Sequence, residues 1–241
     1  MVGLYVYGVT TARATLPPQL RGVGDPPSPV STVPAGPIAA VVGEAPLTVR
    51  AKRRDIQSHQ NVIMAIAADA PVLPARFGVI APDEQAVREP LEKDAAAYLE
   101  ALDRVAGRIE MNLKVAVAED GLADMLREDE GLRRLHQETL RRPGYDANIR
   151  LGQAVEKGLR RRAAAVCADA LPQLAELAEE SVHGPDVDGY VANISFLIES
   201  AQVGAVQRLV TRIVRDAGSR ADFRLTGPLP CYSFCALPAA V

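Results

Sequence analysis

Pro71-Val72-Leu73-Pro74-Ala75-Arg76-Phe77-Gly78 is the stretch on which the reading of this chain turns. It is apolar, interrupted by two prolines, closed by a glycine, and carries one arginine. It has no helical period. Prolines in an apolar run fit an edge strand or a first strand residue and argue against a central strand. Helical patterns flank the stretch on both sides, so it reads as the strand that closes a small α+β unit. Arg76 needs a partner if it is buried there, because an unpaired buried charge is costly. Two roles stand open for it: an ion pair across the sheet, or an exposed anchor for a partner protein on an edge strand.

Toward the N-terminus, Asp55 to Ala68 carries a helical stripe of Ile56, Val62, Ile63 and Ile66. Leu4 to Val9 is rich in β-branched and aromatic residues and reads as a strand. Pro37 to Gly43 is a continuous apolar run bounded by breakers, hence a buried strand. Between these two lies a Pro- and Gly-rich loop in which Val30 to Val33 can form a short strand.

Toward the C-terminus, Asp83 caps a helix that Pro90 kinks or restarts. Leu91, Ala95, Tyr98, Leu102 and Val105 then step by four and three along one helix face, and Gly107 ends it. Arg108 to Val117 alternates strictly, with Ile109, Met111, Leu113, Val115 and Val117 on one face and Arg108, Glu110, Asn112 and Lys114 on the other. That pattern means a sheet with one dry and one polar face. Glu119 to Leu140 reads as one helix, acidic early and basic late. Ile149 to Val182 reads as a long helical region divided at Pro172. Tyr190 to Glu199 is a strand, Val203 to Ile213 a helix, and Phe223 to Phe234 a closing extended segment. The expected class is α+β in two domains, 1–106 and 107–241, with mixed or antiparallel sheets packed against helices. The second domain's order, with its helical insertion, suits a ferredoxin-like sandwich.

Composition narrows the function. The 241 residues are 48% apolar, enough for a core, but only 4% aromatic with no Trp, so that core must be aliphatic. A net charge of −3 gives no electrostatic footprint for nucleic acid. Three scattered cysteines do not make a disulfide framework. No apolar run reaches the ~18 residues of a membrane span, and the opening residues lack the pattern of a secretory leader. The expectation is a soluble intracellular protein.

Candidate chemistry is sparse. His59, His136 and His183 share no metal-ligand spacing; His59 is placed at the surface or packing edge of its helix. Cys231 and Cys235 lie roughly 13 Å apart on an extended strand and read as small core residues. Gly22-Val23-Gly24-Asp25 superficially resembles a phosphate loop but lacks its lysine and its strand–turn–helix setting. Arg160-Arg161-Arg162 reads as a solvated helix face, or as ion pairs with Glu156 and nearby acids. No nucleophile–base pair or paired carboxylates emerge, so catalytic, cofactor-binding and metal residues are expected to be none.

Several stretches together resemble the gas vesicle protein GvpF/GvpL family. They are Leu4 to Val9, Gly36 to Val42, His59, Val72 to Gly78, Gly107 to Glu110 with Leu113-Lys114-Val115, Asn193 to Ile198, and Thr226 to Phe234. They occur in the family's order and span the chain. The family commonly has Trp where this chain has Met111 and Leu229, Pro at Cys231, and Thr at Val79. The compact length is similar to F-like members. The resemblance implies a non-enzymatic assembly factor and minor vesicle component. It would bind the hydrophobic shell subunit and other gas vesicle accessory proteins, and limit shell-subunit aggregation during nucleation. It also implies a cytoplasmic, gas vesicle location, no cofactor, no membrane partner, and a modified ferredoxin-like second domain. Leu73, Arg76 and Phe77 are the candidate partner-binding residues. The alternative is a small-molecule-binding or enzymatic α+β protein, since such folds host many functions.

Overall fold

The computed structural model describes residues 2–46, 51–118 and 121–235. The chain divides into two compact units: residues up to Glu110 with the segment from Pro228 onward, and Met111–Gly227. The fold is α+β, with two sheets packed against helices.

The first unit holds β1 (Val2–Thr11), β2 (Val30–Ala35), β3 (Ile38–Pro46), β4 (Val72–Pro74) and β5 (Ile80–Ala81) in one sheet. Its order is β2-β3-β1-β4, with β5 also pairing β1. All these pairings are antiparallel. The central pair β1–β3 carries a register shift between Val6 and Gly8, which inserts Tyr7 as an extra residue. Helix α1 (Arg53–Ala67) lays Val62, Ile63 and Ile66 against Tyr5, Tyr7, Val41, Ala45 and Val72 on one sheet face. Each such aliphatic burial stabilises by roughly 1.5–3 kcal/mol. Strand alternation turns Val6, Ala40, Val42 and Leu73 to the other face, where α2 (Glu84–Lys93) and α3 (Ala95–Val105) pack. The sheet is therefore dry on both faces, which is why β3 reads as continuous apolar sequence.

The decisive stretch does form a strand at the end of this sheet's order, but only over Val72–Pro74. Val9 lies opposite Leu73, and Gly8 opposite Pro74. A Cβ on Gly8 would stand 2.5 Å from the Leu73 carbonyl oxygen, so glycine is what lets β4 approach this closely. Ala75 N–H still donates to the Tyr7 carbonyl at 2.9 Å. Beyond it the chain turns away.

Asp83 caps α2, its carboxylate accepting from Ala86 N–H at 2.9 Å. Pro90 lies inside that helix without ending it, and the break falls at Asp94, from which α3 restarts.

In the second unit, β6 (Arg108–Ala116) enters from the first and carries Met111, Leu113 and Val115 into the core. The expected single helix after it is two: α4 (Leu122–Glu128) and α5 (Glu130–Arg141); residues 119 and 120 lie outside the described residues. Asp129 separates them because its side chain accepts from Leu132 N–H at 3.0 Å and so starts a new helix. The long helix α6 runs Tyr145–Ala175, and Pro172 sits in its last turn instead of dividing it. A strand, β7 (Glu180–His183), then takes the place of the expected helix to Val182. Strand β8 (Tyr190–Glu199) pairs β7 antiparallel. Helix α7 (Val203–Ala217) buries Val206, Val210 and Ile213 as its period demands. Strand β9 (Asp222–Leu229) ends before Cys231, and a short turn over Tyr232–Phe234 replaces the rest of the expected extended segment. The sheet order is β7-β8-β6-β9.

Candidate functional site

Of the three candidate partner-binding residues, Leu73 is fully buried in the sheet. Phe77 is half-buried, with its ring centroid 5.9 Å from Tyr5 and 5.7 Å from His59. Arg76 is exposed between them, and among the described residues its side chain has no hydrogen bond or ion pair. The reading of Arg76 as a buried ion-pair partner is thereby corrected: the strand ends at Pro74, and the turn after it directs the guanidinium to solvent.

The apolar stretch instead closes over a buried polar centre in the first unit. His59 is 2% exposed, inside the packed face of its helix and not at the surface or packing edge expected from sequence. It occupies the stripe 59, 62, 63, 66, the i, i+3, i+4, i+7 spacing of a buried helix face. Ile56, assigned to that stripe from sequence, is exposed. The Tyr5 hydroxyl lies 3.0 Å from His59 Nδ1, while His59 Nε2 lies 3.1 Å from the Ala75 carbonyl and 3.1 Å from the Tyr232 hydroxyl. A carbonyl only accepts, so Nε2 carries the ring proton and Nδ1 accepts from Tyr5. The Tyr5 oxygen in turn accepts from Gly78 N–H at 3.1 Å. Tyr7 stacks on the imidazole at 5.8 Å, and its hydroxyl accepts from Val23 N–H at 2.7 Å, tying down the long loop between β1 and β2.

A second anchor lies in the same unit. Glu110, 4% exposed, accepts from Ser233 N–H at 2.8 Å and from Ser233 Oγ–H at 2.7 Å. Cys231 and Phe234, on either side of Ser233 in sequence, are buried. The alternation of β6 places Glu110 on the polar face, and nothing local in sequence shows that the closing segment covers it.

The electrostatics are set by burial. Desolvation pulls the His59 pKa down to about 4, only partly opposed by its bond to Ala75, so the ring is neutral near pH 7. Burial pushes Tyr5 up from its ordinary value and Tyr232 up to about 12. Burial likewise raises Cys231 and Cys235 to about 12, which keeps both thiols protonated and poor nucleophiles. Both ring nitrogens of His59 are engaged by the protein's own groups, and its neighbours are locked aromatic rings. The arrangement is chemically a clasp: it fastens β1, α1, the turn after β4 and the closing segment to one another. Among the described residues no cluster of three or more His, Cys, Asp or Glu is placed to hold a metal ion. No described helix is long and apolar enough to cross a membrane.

The clasp is built from stretches far apart in sequence: the opening strand, His59, Ala75 to Gly78, Glu110, and Tyr232-Ser233. Comparison with known proteins gives one family match whose range includes all of these stretches. The model for "Gas vesicle synthesis protein GvpL/GvpF" matches residues 3–236. Gas vesicle protein F of Streptomyces sp. (strain CB03234) is 34% identical over 234 residues, covering 95% of this chain and 98% of that protein. Gas vesicle protein L of the same strain is 30% identical over 258 residues, covering 97% and 92%. The crystal structure of GvpF from Anabaena sp. PCC7120 superposes with a TM-score of 0.77 at 23% identity, covering 99% of this chain and all of that one. GvpF from Microcystis aeruginosa gives 0.76 at 23% identity, with 98% of this chain covered. These two establish the fold. With one family model spanning nearly every residue and two full-length relatives at this identity, the chain belongs to the gas vesicle synthesis protein GvpL/GvpF family.

Proposed function

We propose that this protein is an assembly factor and minor component of gas vesicles, one that binds the hydrophobic shell subunit and limits its aggregation during nucleation. Membership of the family across residues 3–236 carries the reading. That family is one of gas vesicle proteins, not of enzymes, and the occupied nitrogens of His59 agree with a non-catalytic role. A protein handling an aggregation-prone partner needs apolar surface set in a charged exterior. The end of the α5–α6 hairpin supports this: Leu140, Tyr145 and Ile149 are 69%, 82% and 41% exposed. The Leu73–Phe77 segment offers a second contact through Arg76. Cytoplasmic action at the forming vesicle, beside other gas vesicle accessory proteins, belongs to the same proposal. The second unit is read as ferredoxin-like, supported by its element order, strand–helices–strand–strand–helix–strand, and by the sheet order β7-β8-β6-β9.

The test is co-expression with the shell subunit, then affinity capture. Wild type is expected to retain the subunit in solution, and Arg76→Glu or Tyr145→Asp to lose it while keeping the fold. Vesicles formed normally in a strain lacking the gene would overturn the proposal.

A further inference from the structure

We propose, on the footing that this protein is an assembly factor for the hydrophobic shell subunit, that the subunit docks in the groove between β9 and α7. It would add an extended segment to the free edge of β9 and turn alternate apolar side chains into the groove. Strand β9 is the last in the order of its sheet, and none of its eight residues is buried. Alternate residues of such a strand point backbone N–H and C=O groups away from the sheet, a template for another strand. The other sheet ends offer less. In β2 the Pro34 carbonyl already accepts from Arg88 Nε–H at 3.2 Å. Strands β4 and β7 are only three and four residues long.

The helical period makes the groove. Val206, Val210 and Ile213 of α7 are buried. Gln207, Thr211 and Val214, spaced i, i+4, i+7, form the adjoining stripe and are exposed. With Phe223 and Leu225 of β9 and Met111 of β6 they line a trough of about 380 Å³. None of its eight described lining residues is charged, although Arg208, Arg212, Arg215 and Asp216 stand exposed elsewhere on the same helix. A charged segment entering the trough would be desolvated with nothing to pair it, whereas an aliphatic one gains by leaving water. The free edge calls for an extended chain, since a helix has spent its own backbone groups internally. Asp222 and Arg224 alternate with Phe223 and Leu225, are exposed, and are opposite in sign. The occupant is therefore a strand of period two, aliphatic toward the groove and polar outward. Gly227-Pro228 stops the ladder, since proline has no N–H to give it, and limits the added strand to the length of residues 222–227.

Affinity capture of the co-expressed shell subunit by the full chain, with hydrogen exchange on the captured complex, tests this. Wild type is expected to retain the subunit and to show slowed amide exchange over residues 222–227. Val214→Glu and Thr211→Glu each put a carboxylate into the groove from an exposed helix position, and each is expected to lower capture by roughly tenfold or more. Val214→Leu keeps the apolar wall and is expected to capture as wild type does. Circular dichroism checks that every variant keeps its helices. Wild-type capture by the two Glu variants, or unchanged exchange over 222–227 in the complex, overturns the groove and leaves the assembly role standing. A wild type that retains no subunit overturns both. Doubling of the 25.7 kDa mass of the chain alone, abolished by Val214→Glu, assigns the groove to a second copy and also overturns the proposal.

Discussion

Acid is expected to loosen this protein through His59. The imidazole is held neutral by burial, with its pKa at about 4 instead of the ordinary 6.5. Between those values the unfolded chain binds a proton that the folded chain refuses. Stability therefore falls as pH drops through that window and is flat above it. Linkage gives a loss of about 1 kcal/mol by ~pH 5.5 and about 2 kcal/mol by ~pH 4.5, relative to neutral pH. Structure supplies the reason. A proton on Nδ1 turns an acceptor into a donor, so the Tyr5 hydroxyl loses its acceptor while still receiving Gly78 N–H. The comparison variant is His59→Gln, whose amide can donate and accept but does not titrate. At neutral pH it is expected to cost roughly 1–3 kcal/mol, from the lost ring stack on Tyr7 and imperfect hydrogen bonds. Urea unfolding monitored by circular dichroism, at several pH values, reads both proteins. Carboxylates elsewhere contribute equally to each and cancel in the difference. Wild type should lose stability toward acid faster than the variant. Parallel pH profiles would refute the assignment of His59 as a buried neutral group.

Gly8→Ala drives a methyl group to 2.5 Å from the Leu73 carbonyl, and thermal unfolding should show a loss of roughly 1–3 kcal/mol as β4 is pushed off β1. Glu110→Ala leaves Ser233 without its acceptor; hydrogen exchange should accelerate at residues 231–235, with about 1–3 kcal/mol lost in urea. Arg76→Ala should leave the melting temperature within the scatter of surface substitutions, about ±0.5 kcal/mol, because the side chain is exposed. A loss of several kcal/mol there would mean that Arg76 is a buried ion-pair partner after all.

Wherever a residue's environment is set by its own element, the chain can be read directly. The alternation of β6, the stripes of α3 and α7, the Asp83 cap and the edge character of Val72–Pro74 depend on periods and caps that a few neighbouring residues determine. Where two local signals compete, sequence alone misleads. Asp129 starts a helix inside a pattern whose charges suggest continuity, and Glu180–His183 changes to a strand soon after a strong helix. Pro90 and Pro172 are both carried within helices, the first inside α2 and the second in the last turn of α6.

The clasp marks the division between sequence and tertiary structure. From the sequence alone, Pro71 to Gly78 is legible as a sheet-edge stretch belonging to a family pattern. Its arginine is legible only as a charge in apolar company. Arg76 can be assigned to solvent only once Val72–Pro74 is paired to β1 and the chain has turned. His59 looks isolated in sequence because its partners are 16, 54 and 173 residues away. Glu110 looks solvated because Ser233 lies 123 residues on. Periodicity reports which face a residue occupies, but the partner that satisfies a buried polar group is chosen by topology, and topology is a property of the whole chain.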